Sequence, residues 1–352
     1  DKGRVLCLSA VEAAKELWVD RNAAAGGTGT ESAPFQTIQE AVAATGSSTS
    51  YVHVARGVYD QGAVEHAGFT SNRVQITTGV YRFVGTDGPE ETVIKGAADT
   101  TSEDAYLGCG PAAVRCIHCE NVPAVFDGFT LTDGHVASTN ASTYTAGTRG
   151  GALFAGGSRP TLVNCIVTNN CATRGVMMLN GAAYRCRFDD NTCIQDAPFD
   201  NTAQLGACAI GRVNVPSGVD NKVYFPGESR IVQCTMRNFS NRNMVVASAH
   251  GYMFNCIVNH ARYNSANANQ KRIMGCVFND FSYNSNINTN GIHYVKKDPL
   301  FVDDTEQGDW RVMAQSPAIG YGNAWDGLDE LSSSTAYDNY YALVTHDLAG
   351  DE

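Results

Sequence analysis

Apolar and polar positions alternate in a phrase that returns five times between residues 164 and 279. Each copy is centred on one cysteine, and the five are Cys165, Cys186, Cys234, Cys256 and Cys276. The position two residues after each cysteine is always apolar, and the position three residues after it is always polar. Because successive side chains of a strand point to opposite faces, the alternation predicts short strands whose cysteines face inward.

The spacing of the copies predicts a solenoid. The steps between the cysteines are 21, 48, 22 and 20 residues, and the step of 48 is close to two periods with a small insertion. A period of about 22 residues, built of β-branched runs separated by Asn, Gly and Ser, is typical of stacked coils that cannot bury their apolar faces singly. We therefore predict an all-β chain with one coil per repeat.

The first 50 residues predict a cover for one end of this solenoid. The segment from Leu17 to Asp20 has the pattern of a strand, and a helix is predicted from a cap at Ser32 to a stop at Gly46, with Pro34 in its first turn. An uncovered terminal coil would expose core side chains and unpaired strand edges. Among the coils that follow, the segment from Val125 to Leu131 is predicted as a single strand.

Several local phrases also recur in a characteristic order. They are Trp18-Val19-Asp20 with residues 26–30 and 34–41, Arg56-Gly57-Val58-Tyr59, residues 126–131, residues 150–153 followed by Asn164-Cys165, and residues 298–303 with 316–320. This order resembles right-handed parallel β-helix proteins of the pectin-lyase-like superfamily, and the last pair resembles bacterial secreted and surface members that carry a separate C-terminal anchor. The resemblance implies a right-handed parallel β-helix with an N-terminal capping helix.

The predicted organisation is a single domain over residues 1–352. Residues 1–50 hold the first strand and the capping helix, residues 51–297 hold the coils, and residues 298–352 form a closing segment. Two stretches, 132–150 and 195–227, are rich in small, polar or proline residues and are predicted to be loop excursions. Solenoids often place function on such excursions.

Composition and charge restrict the partners. The net charge is −11 and only 17% of residues are charged, so a nucleic-acid partner is not expected, because it would need clustered Lys and Arg. No run of 18 apolar residues is present, so no transmembrane segment is predicted. The absence of an initiator Met before Asp1 and the count of 12 cysteines favour a processed protein that is secreted or at the cell surface.

Cysteine spacing gives two further expectations. Cys109, Cys116 and Cys119 are crowded into a short Gly-rich segment and are the disulfide candidates, whereas the cysteines of the repeated phrase are expected to be free and packed. No metal site is predicted, because the CxxC pair of Cys116 and Cys119 has no second pair. No cofactor is expected either, and calcium would depend on oxygen ligands such as Asp189 and Asp190.

One stretch carries the groups that polysaccharide cleavage requires. Elimination from a uronic acid needs a cation to neutralise the carboxylate and a base to remove the α-proton. The catalytic candidates are His260, Arg237, Arg262 and Tyr263, and the substrate-binding candidates are Arg242, His250, Tyr252 and Tyr283. The alternative for His260 is a ladder of polar turn residues, since Asn169, Asp190, Asn238 and Asp280 occupy the same position after the cysteine.

Two functions therefore remain open. In the first, the protein engages a polysaccharide or glycan surface, as a polysaccharide lyase, a glycoside hydrolase or a carbohydrate-binding protein. In the second, it is a non-catalytic surface adhesin or a structural protein that associates with itself into filaments. The superfamily resemblance is compatible with both, because one fold hosts many activities.

Overall fold

The fold was analysed on a computed structural model. It describes residues 15–45, 49–65, 70–138, 147–157, 160–176, 178–179, 181–194, 199–200, 204–211, 213–214, 216, 222–224, 230–232, 234–237, 243–245, 252–259, 261–263, 273–278, 281–283, 293–300 and 312–318. Within these ranges the chain is almost entirely β-structure with one helix, α1 (Ile38–Thr45).

The strands are short and follow one another closely. In the first half they are β1 (Lys15–Val19), β2 (Thr49–Val54), β3 (Gly57–Tyr59), β4 (Ser71–Ile76), β5 (Val80–Gly85), β6 (Thr92–Lys95), β7 (Val114–Glu120), β8 (Ala124–Asp127), β9 (Thr130–Thr132), β10 (Leu153–Gly156), β11 (Thr161–Val163), β12 (Ile166–Thr168), β13 (Cys171–Ala172), β14 (Met178–Leu179), β15 (Ala182–Tyr184) and β16 (Arg187–Asp189). In the second half they are β17 (Asn191–Cys193), β18 (Phe199–Asp200), β19 (Gln204–Gly206), β20 (Ala209–Ile210), β21 (Val213–Asn214), β22 (Lys222–Tyr224), β23 (Arg230–Val232), β24 (Thr235–Arg237), β25 (Asn243–Val245), β26 (Tyr252–Phe254), β27 (Ile257–Asn259), β28 (Ala261–Tyr263), β29 (Ile273–Phe278), β30 (Phe281–Tyr283) and β31 (His293–Lys296).

Every pairing between these strands is parallel and joins one coil to the next, which makes the chain a right-handed parallel β-helix, as predicted. The first ladder runs β1, β2, β5, β8, β11, β15, β19, β23, β26 and β29. The second runs β3, β6, β9, β12, β16, β20, β24 and β27. Further ladders close the coils: β4–β7–β10–β14–β18, β13–β17–β21 and β22–β25–β28–β30.

The core is a set of columns that the strand register stacks. In the first ladder the described side chains of the inward column are all apolar and buried, and they are Leu17, Val52, Phe83, Phe126, Leu162, Ala183, Leu205, Ile231 and Met253. Phe83 and Phe126 stack in parallel with ring centroids 4.8 Å apart. Such columns bury each coil's apolar face against its neighbours, so the stability of a coil depends on the coils beside it.

Four cysteines of the repeated phrase, Cys165, Cys186, Cys234 and Cys256, lie at the bend between the first and second ladders, whereas Cys276 lies inside β29, which pairs with both β26 and β27. The predicted inward positions are confirmed, because Cys186 and, two residues later, Phe188 are both buried. The structure also supplies a member that the sequence did not reveal: Cys208 lies between Cys186 and Cys234 and is equally buried. It divides the 48-residue step into 22 and 26 residues, and its thiol donates to the carbonyl of Ala183 in the preceding coil, with Sγ and O 3.4 Å apart.

The bends require left-handed backbone. The residue before the cysteine has a positive φ in four coils, at Asn164, Arg185, Ala207 and Asn255. In the coil before them the same bend falls at Gly128, with φ of 81°. For this reason the single strand predicted from Val125 to Leu131 is wrong, and the structure has two strands, β8 and β9, that belong to different ladders.

The polar position after each second-ladder strand also lies in a turn. Asn169 and Asp190 have φ of 60° and 52°, which fits the polar turn ladder that the sequence offered as one interpretation. The next residue of each coil points inward: Asn170 and Asn191 are buried, and the side-chain amide of Asn170 donates to Oδ1 of Asn191 over 2.9 Å. The amides thus bond to each other and to backbone along the helix axis.

The N-terminal end is covered by a loop and a helix together. The exposed edge of β1 pairs with the loop that follows it: Trp18 donates its N–H to Gly29, and Phe35 donates its N–H to Trp18. This pairing holds the chain extended, so the helix begins at Ile38 and not near Ser32 as predicted. Its cap is Thr37, whose hydroxyl accepts from the N–H of Glu40 over 3.2 Å, and α1 ends at Thr45, before Gly46, as predicted.

Two parts of the predicted domain layout can be compared with residues that the structure describes. Residues 195–227 contain β18 to β22, so the predicted loop excursion is wrong, because buried Leu205, Cys208 and Ile210 form a regular coil there. In the closing segment, the phrases at residues 298–303 and 316–320 contact each other. The hydroxyl of Ser316 donates to the carbonyl of Pro299.

Candidate functional site

The residues that the sequence favoured for chemistry are divided among three strand ladders. Tyr252 lies in the first ladder on β26, and Arg237 in the second ladder on β24. Arg262 and Tyr263 lie on β28, whose neighbour β30 places Tyr283 in register with Tyr263. His260, Arg242 and His250 lie outside the described residues. Among the candidates that the structure describes, the strand register pairs Tyr263 with Tyr283, and the larger grouping stays a prediction.

The three disulfide candidates are free thiols in the structure. Cys116 and Cys119 lie on one strand, β7, where both faces are buried, and burial raises the pKa of Cys116 to about 12. The Cys109 thiol approaches the carbonyl oxygen of Cys171 at 3.7 Å. The disulfide prediction is thus not met: residues three apart in an extended strand point to opposite faces, so Cys116 cannot bridge to Cys119.

No group of three or more His, Cys, Asp or Glu side chains within the described ranges is placed to hold a metal ion. Of the two residues proposed as calcium ligands, Asp189 pairs with Arg187 instead, with Oδ2 and Nη2 3.3 Å apart. Asp190 is the left-handed turn residue described above. Over the same part of the chain, α1 is the one helix and is far too short to span a bilayer.

A strip of aromatic and charged side chains lies on the outward face of the first four coils, and we call it the outer strip. It consists of Glu16, Trp18, Tyr51, His53, Arg82 and Asp127. The register explains its composition, because the outward positions of β1, β2, β5 and β8 follow one another along the helix axis. Neighbouring parallel strands are about 4.8 Å apart, so these side chains are in contact from coil to coil.

The contacts of the outer strip form a continuous chain. The Trp18 and His53 rings stack with centroids 5.0 Å apart, and the Tyr51 ring lies 5.4 Å from that of His53. Arg82 places its guanidinium carbon 5.4 Å from the centre of the Tyr51 ring, and it pairs with Asp127 at 3.4 Å. Each ring thereby contacts a side chain from an adjacent coil.

Its charged ends remain accessible to solvent. His53 Nε2 lies 2.5 Å from Glu16 Oε2, and these two side chains are 29% and 52% exposed. Arg82 is 51% exposed and Asp127 20%. Asn164, on the next coil, donates its side-chain amide to Asp127 over 2.9 Å. The strip is therefore an ordered surface that presents rings together with hydrogen-bond donors and acceptors.

A cleft of about 270 Å³ opens on another side of the same end, where the loop after β1 meets β3 and β4, and we call it the N-terminal cleft. It is lined by Arg21, Gln36, Thr37, Ile38, Val58, Tyr59, Asp60, Gln61, Arg73 and Val74. Among these, Arg21 pairs with Asp60 at 3.3 Å. Burial lowers the pKa of Arg73, and a hydrogen bond from Gln61, together with the charge of Arg21, lowers the pKa of Asp60.

Neither the outer strip nor the N-terminal cleft is among the sites predicted from the sequence. The pattern Tyr51-Val52-His53-Val54 shows the alternation of a half-buried strand and would have placed both rings outward. What it does not show is the partner of each ring, because β1, β2 and β5 are separated by connections of unequal length. The N-terminal cleft has no sequence signal at all, since its residues come from four separate segments.

The ladders, the cysteine bend and the covered N-terminal end define the class of this protein as a right-handed parallel β-helix. No protein-family model matches its sequence, and no curated protein matches it. Among solved structures, a pectin methylesterase in complex with a hexasaccharide has a TM-score of 0.40 at 12% identity, over 82% of this chain and 94% of that one. A structure described as rhamnogalacturonan lyase has a TM-score of 0.37 at 9% identity, over 78% and 75%. Pectin methylesterase PemA from Erwinia chrysanthemi has a TM-score of 0.36 at 12% identity, over 82% and 94%. At these values no residue role is carried over to this chain.

Proposed function

We propose that this protein binds a polysaccharide on the outer strip. The observation that supports the proposal is the stacking of Trp18, His53 and Tyr51 with Arg82 across three consecutive coils. Aromatic side chains combine apolar area with a polar edge, and guanidinium groups bind carboxylates and hydroxyls with defined geometry. A linear glycan lying along the helix axis would contact an aromatic ring or the guanidinium on each of these three coils.

Preorganisation favours binding at this position. The rings of Trp18 and Tyr51 are half-buried and each contacts His53, so little side-chain entropy remains to be lost when a ligand docks. Immobilising a free side chain costs about 0.5–1.5 kcal/mol, and that cost is avoided where neighbours already fix the rotamer. The strands beneath are part of the continuous core, which makes the surface rigid.

A binding panel with matched variants tests this proposal. Trp18→Ala and Arg82→Gln should each weaken binding to the preferred polysaccharide at least about tenfold, the effect expected of a central aromatic or arginine contact. Arg187→Gln is the control, because Arg187 is 53% exposed and pairs with an aspartate at 3.3 Å, much like Arg82, but lies in the second ladder. Equal affinity for wild type and both strip variants would exclude the outer strip as the binding surface.

A second candidate is a polysaccharide lyase that uses the same strip. It is favoured by the 2.5 Å contact between His53 Nε2 and Glu16 Oε2, since a carboxylate orients an imidazole and supports it as a base. In this role Nδ1 of His53 removes the proton α to the uronate carboxyl group, the bond between the β-carbon and the glycosidic oxygen breaks as the carbon–carbon double bond forms, and the departing oxygen takes a proton from water. Arg82 on the next strand neutralises the uronate carboxylate. Unsaturated products that vanish in His53→Gln would support it, whereas intact polysaccharide after long incubation would leave binding without cleavage.

The site predicted from sequence is tested in the same panel. Arg237→Gln and Tyr263→Ala should reduce binding or cleavage if the later coils carry the groove, with His260→Gln as the catalytic variant. New reducing ends without unsaturation would indicate a glycoside hydrolase. If these three variants keep wild-type binding and cleavage while the outer-strip variants lose binding, the function would be assigned to the first coils.

Export to the cell surface and self-association also belong to the proposal. The described cysteines are free and buried, so the number of cysteines does not support an oxidising compartment. The proposal of export therefore rests on the proposed substrate, which would be extracellular. For the adhesin or filament alternative, sedimentation velocity over a range of protein concentrations is decisive. A concentration-dependent increase in mass without glycan binding would favour the structural role.

A further inference from the structure

We propose that the N-terminal cleft is a second binding site, one that takes a small ligand carrying a single carboxylate. The cleft is concave and combines charged and apolar walls, which distinguishes it from the outer strip on another face. Its volume of about 270 Å³ lies just below the range of about 300–1,000 Å³ that holds drug-sized molecules. A sugar monomer or a similarly small acid is therefore the fitting size class.

Arg73 supplies a fixed positive charge. It is only 8% exposed, its Nε donates to the Lys95 carbonyl over 2.7 Å, and its Nη1 donates to the Gly62 carbonyl. These two hydrogen bonds fix the orientation of the guanidinium, and Nη2 is the nitrogen that has no hydrogen-bond partner among the described residues. Arg73 forms no ion pair with any residue in the described ranges, and a buried charge is stabilised by an anion that approaches it.

Asp60 sets the charge of the ligand. Arg21 and Arg73 contribute two positive charges to the cleft, and Asp60, which interacts with both, contributes one negative charge. The remaining single positive charge matches one carboxylate better than a phosphate, which carries nearly two negative charges. Gln61 donates to Asp60 Oδ1 over 3.0 Å and holds that carboxylate against Arg21.

Apolar side chains also line the cleft and would contact a carbon skeleton. Ile38, Val58 and Val74 line the cleft together with Tyr59, whose hydroxyl donates to the Ala55 carbonyl over 2.8 Å. Thr37 and Gln36 sit at the start of α1, where their N–H groups already donate to Glu40. The helix start is therefore satisfied within the protein, and the two arginines are the anion-binding groups.

Calorimetric titration of the full chain with D-glucuronate tests the inference, with D-glucose, acetate and inorganic phosphate as comparison probes. We expect saturable binding of glucuronate, weaker binding of acetate and phosphate, and none of glucose. Arg21→Gln should weaken glucuronate binding at least about tenfold, because a charge-assisted hydrogen bond to the carboxylate would be lost. Asp60→Asn should strengthen it several-fold, because the competing negative charge is removed.

Arg56→Gln and Asp87→Asn are the matched controls, since this pair forms a 3.0 Å ion pair outside the cleft and should leave glucuronate affinity unchanged. A gain in Asp60→Asn alongside a loss in Arg21→Gln identifies the cleft without relying on Arg73, which also supports the fold. Absence of glucuronate binding, equal binding of glucose, tighter binding of phosphate, or indifference to both variants would overturn the inference. Binding of long glycans to the outer strip is independent of these variants, so failure of one proposal leaves the other standing.

Discussion

At the scale of single residues, Arg115 is the least expected part of the core. Its side chain is fully buried on β7, and burial lowers its pKa to about 9, so it remains charged at neutral pH. It donates to Asn72 Oδ1 over 2.8 Å and to the carbonyls of Gly150 and Arg149 over 2.6 and 2.7 Å. These bonds tie β4 and β7 to the turn that precedes β10.

Replacing Arg115 by Met should destabilise the protein by about 3 kcal/mol or more, because three acceptors, two of them buried and one half-buried, would lose their donor. Arg187→Met is the control, since an exposed substitution changes stability by about 0.5 kcal/mol or less. The free energy of unfolding from urea titration followed by circular dichroism measures both. Equal stabilities of the two variants would show that the Arg115 bonds contribute nothing net.

At the scale of elements, the asparagine ladder determines how each coil turns after the second sheet. Asn191 donates to the carbonyls of Val167 and Asp189 over 2.8 and 2.9 Å and accepts from both nitrogens of Asn170. Its partners are buried or half-buried, so few of these bonds could be replaced by bonds to solvent. The ladder ends where Val213 stands in register with Asn191.

Asn191→Ala should therefore cost about 2–3 kcal/mol, because several backbone and side-chain groups lose their partners inside the core. Asn214→Ala is the matched change on the next coil, where the side chain is half-buried and outside the ladder, and it should have little effect. Thermal and urea unfolding of both variants provide the comparison. A smaller loss in Asn191→Ala than in Asn214→Ala would contradict the role given to the ladder.

At the scale of the whole molecule, the cysteines make stability dependent on pH. All eleven described cysteines are free and buried, and burial raises the pKa of Cys186, Cys208 and Cys256 far above that of an exposed thiol. Below the unfolded pKa of about 8.5 both states keep these protons. Above it the unfolded chain ionises while the folded chain does not, so stability present below about pH 8.5 is lost as pH rises.

The unfolding free energy should fall between pH 8 and pH 10, by up to about 1.4 kcal/mol per pH unit for each such thiol. Replacing Cys186 and Cys208 together with Ala should make the fall shallower while lowering stability at pH 7. Urea unfolding under reducing conditions at several pH values measures the slope. A slope that the double variant leaves unchanged would show that other groups control the alkaline loss.

The periodic features of this protein can be predicted from its amino-acid sequence alone. Alternation around Cys165 and its counterparts predicted which side chains are buried, since a strand has a period of two, and recurrence at a near-constant step predicted the solenoid. Departures from the period were misread. Pro198, Pro216 and Pro226 predict a loop around Cys208. In the structure this segment is a regular coil, because Leu205 and Ile210 are buried in the inward columns of the two ladders.

The candidate sites, in contrast, depend on contacts that form only in the folded chain. Trp18, Tyr51 and Arg82 are far apart in sequence, and their contact depends on which residues of successive coils stand in register. Likewise, Arg21, Asp60 and Arg73 converge because the loop that covers β1 folds back against the next coil. The physical reason is that burial follows local alternation, whereas proximity across coils is set by hydrogen-bond pairing between segments joined by connections of variable length.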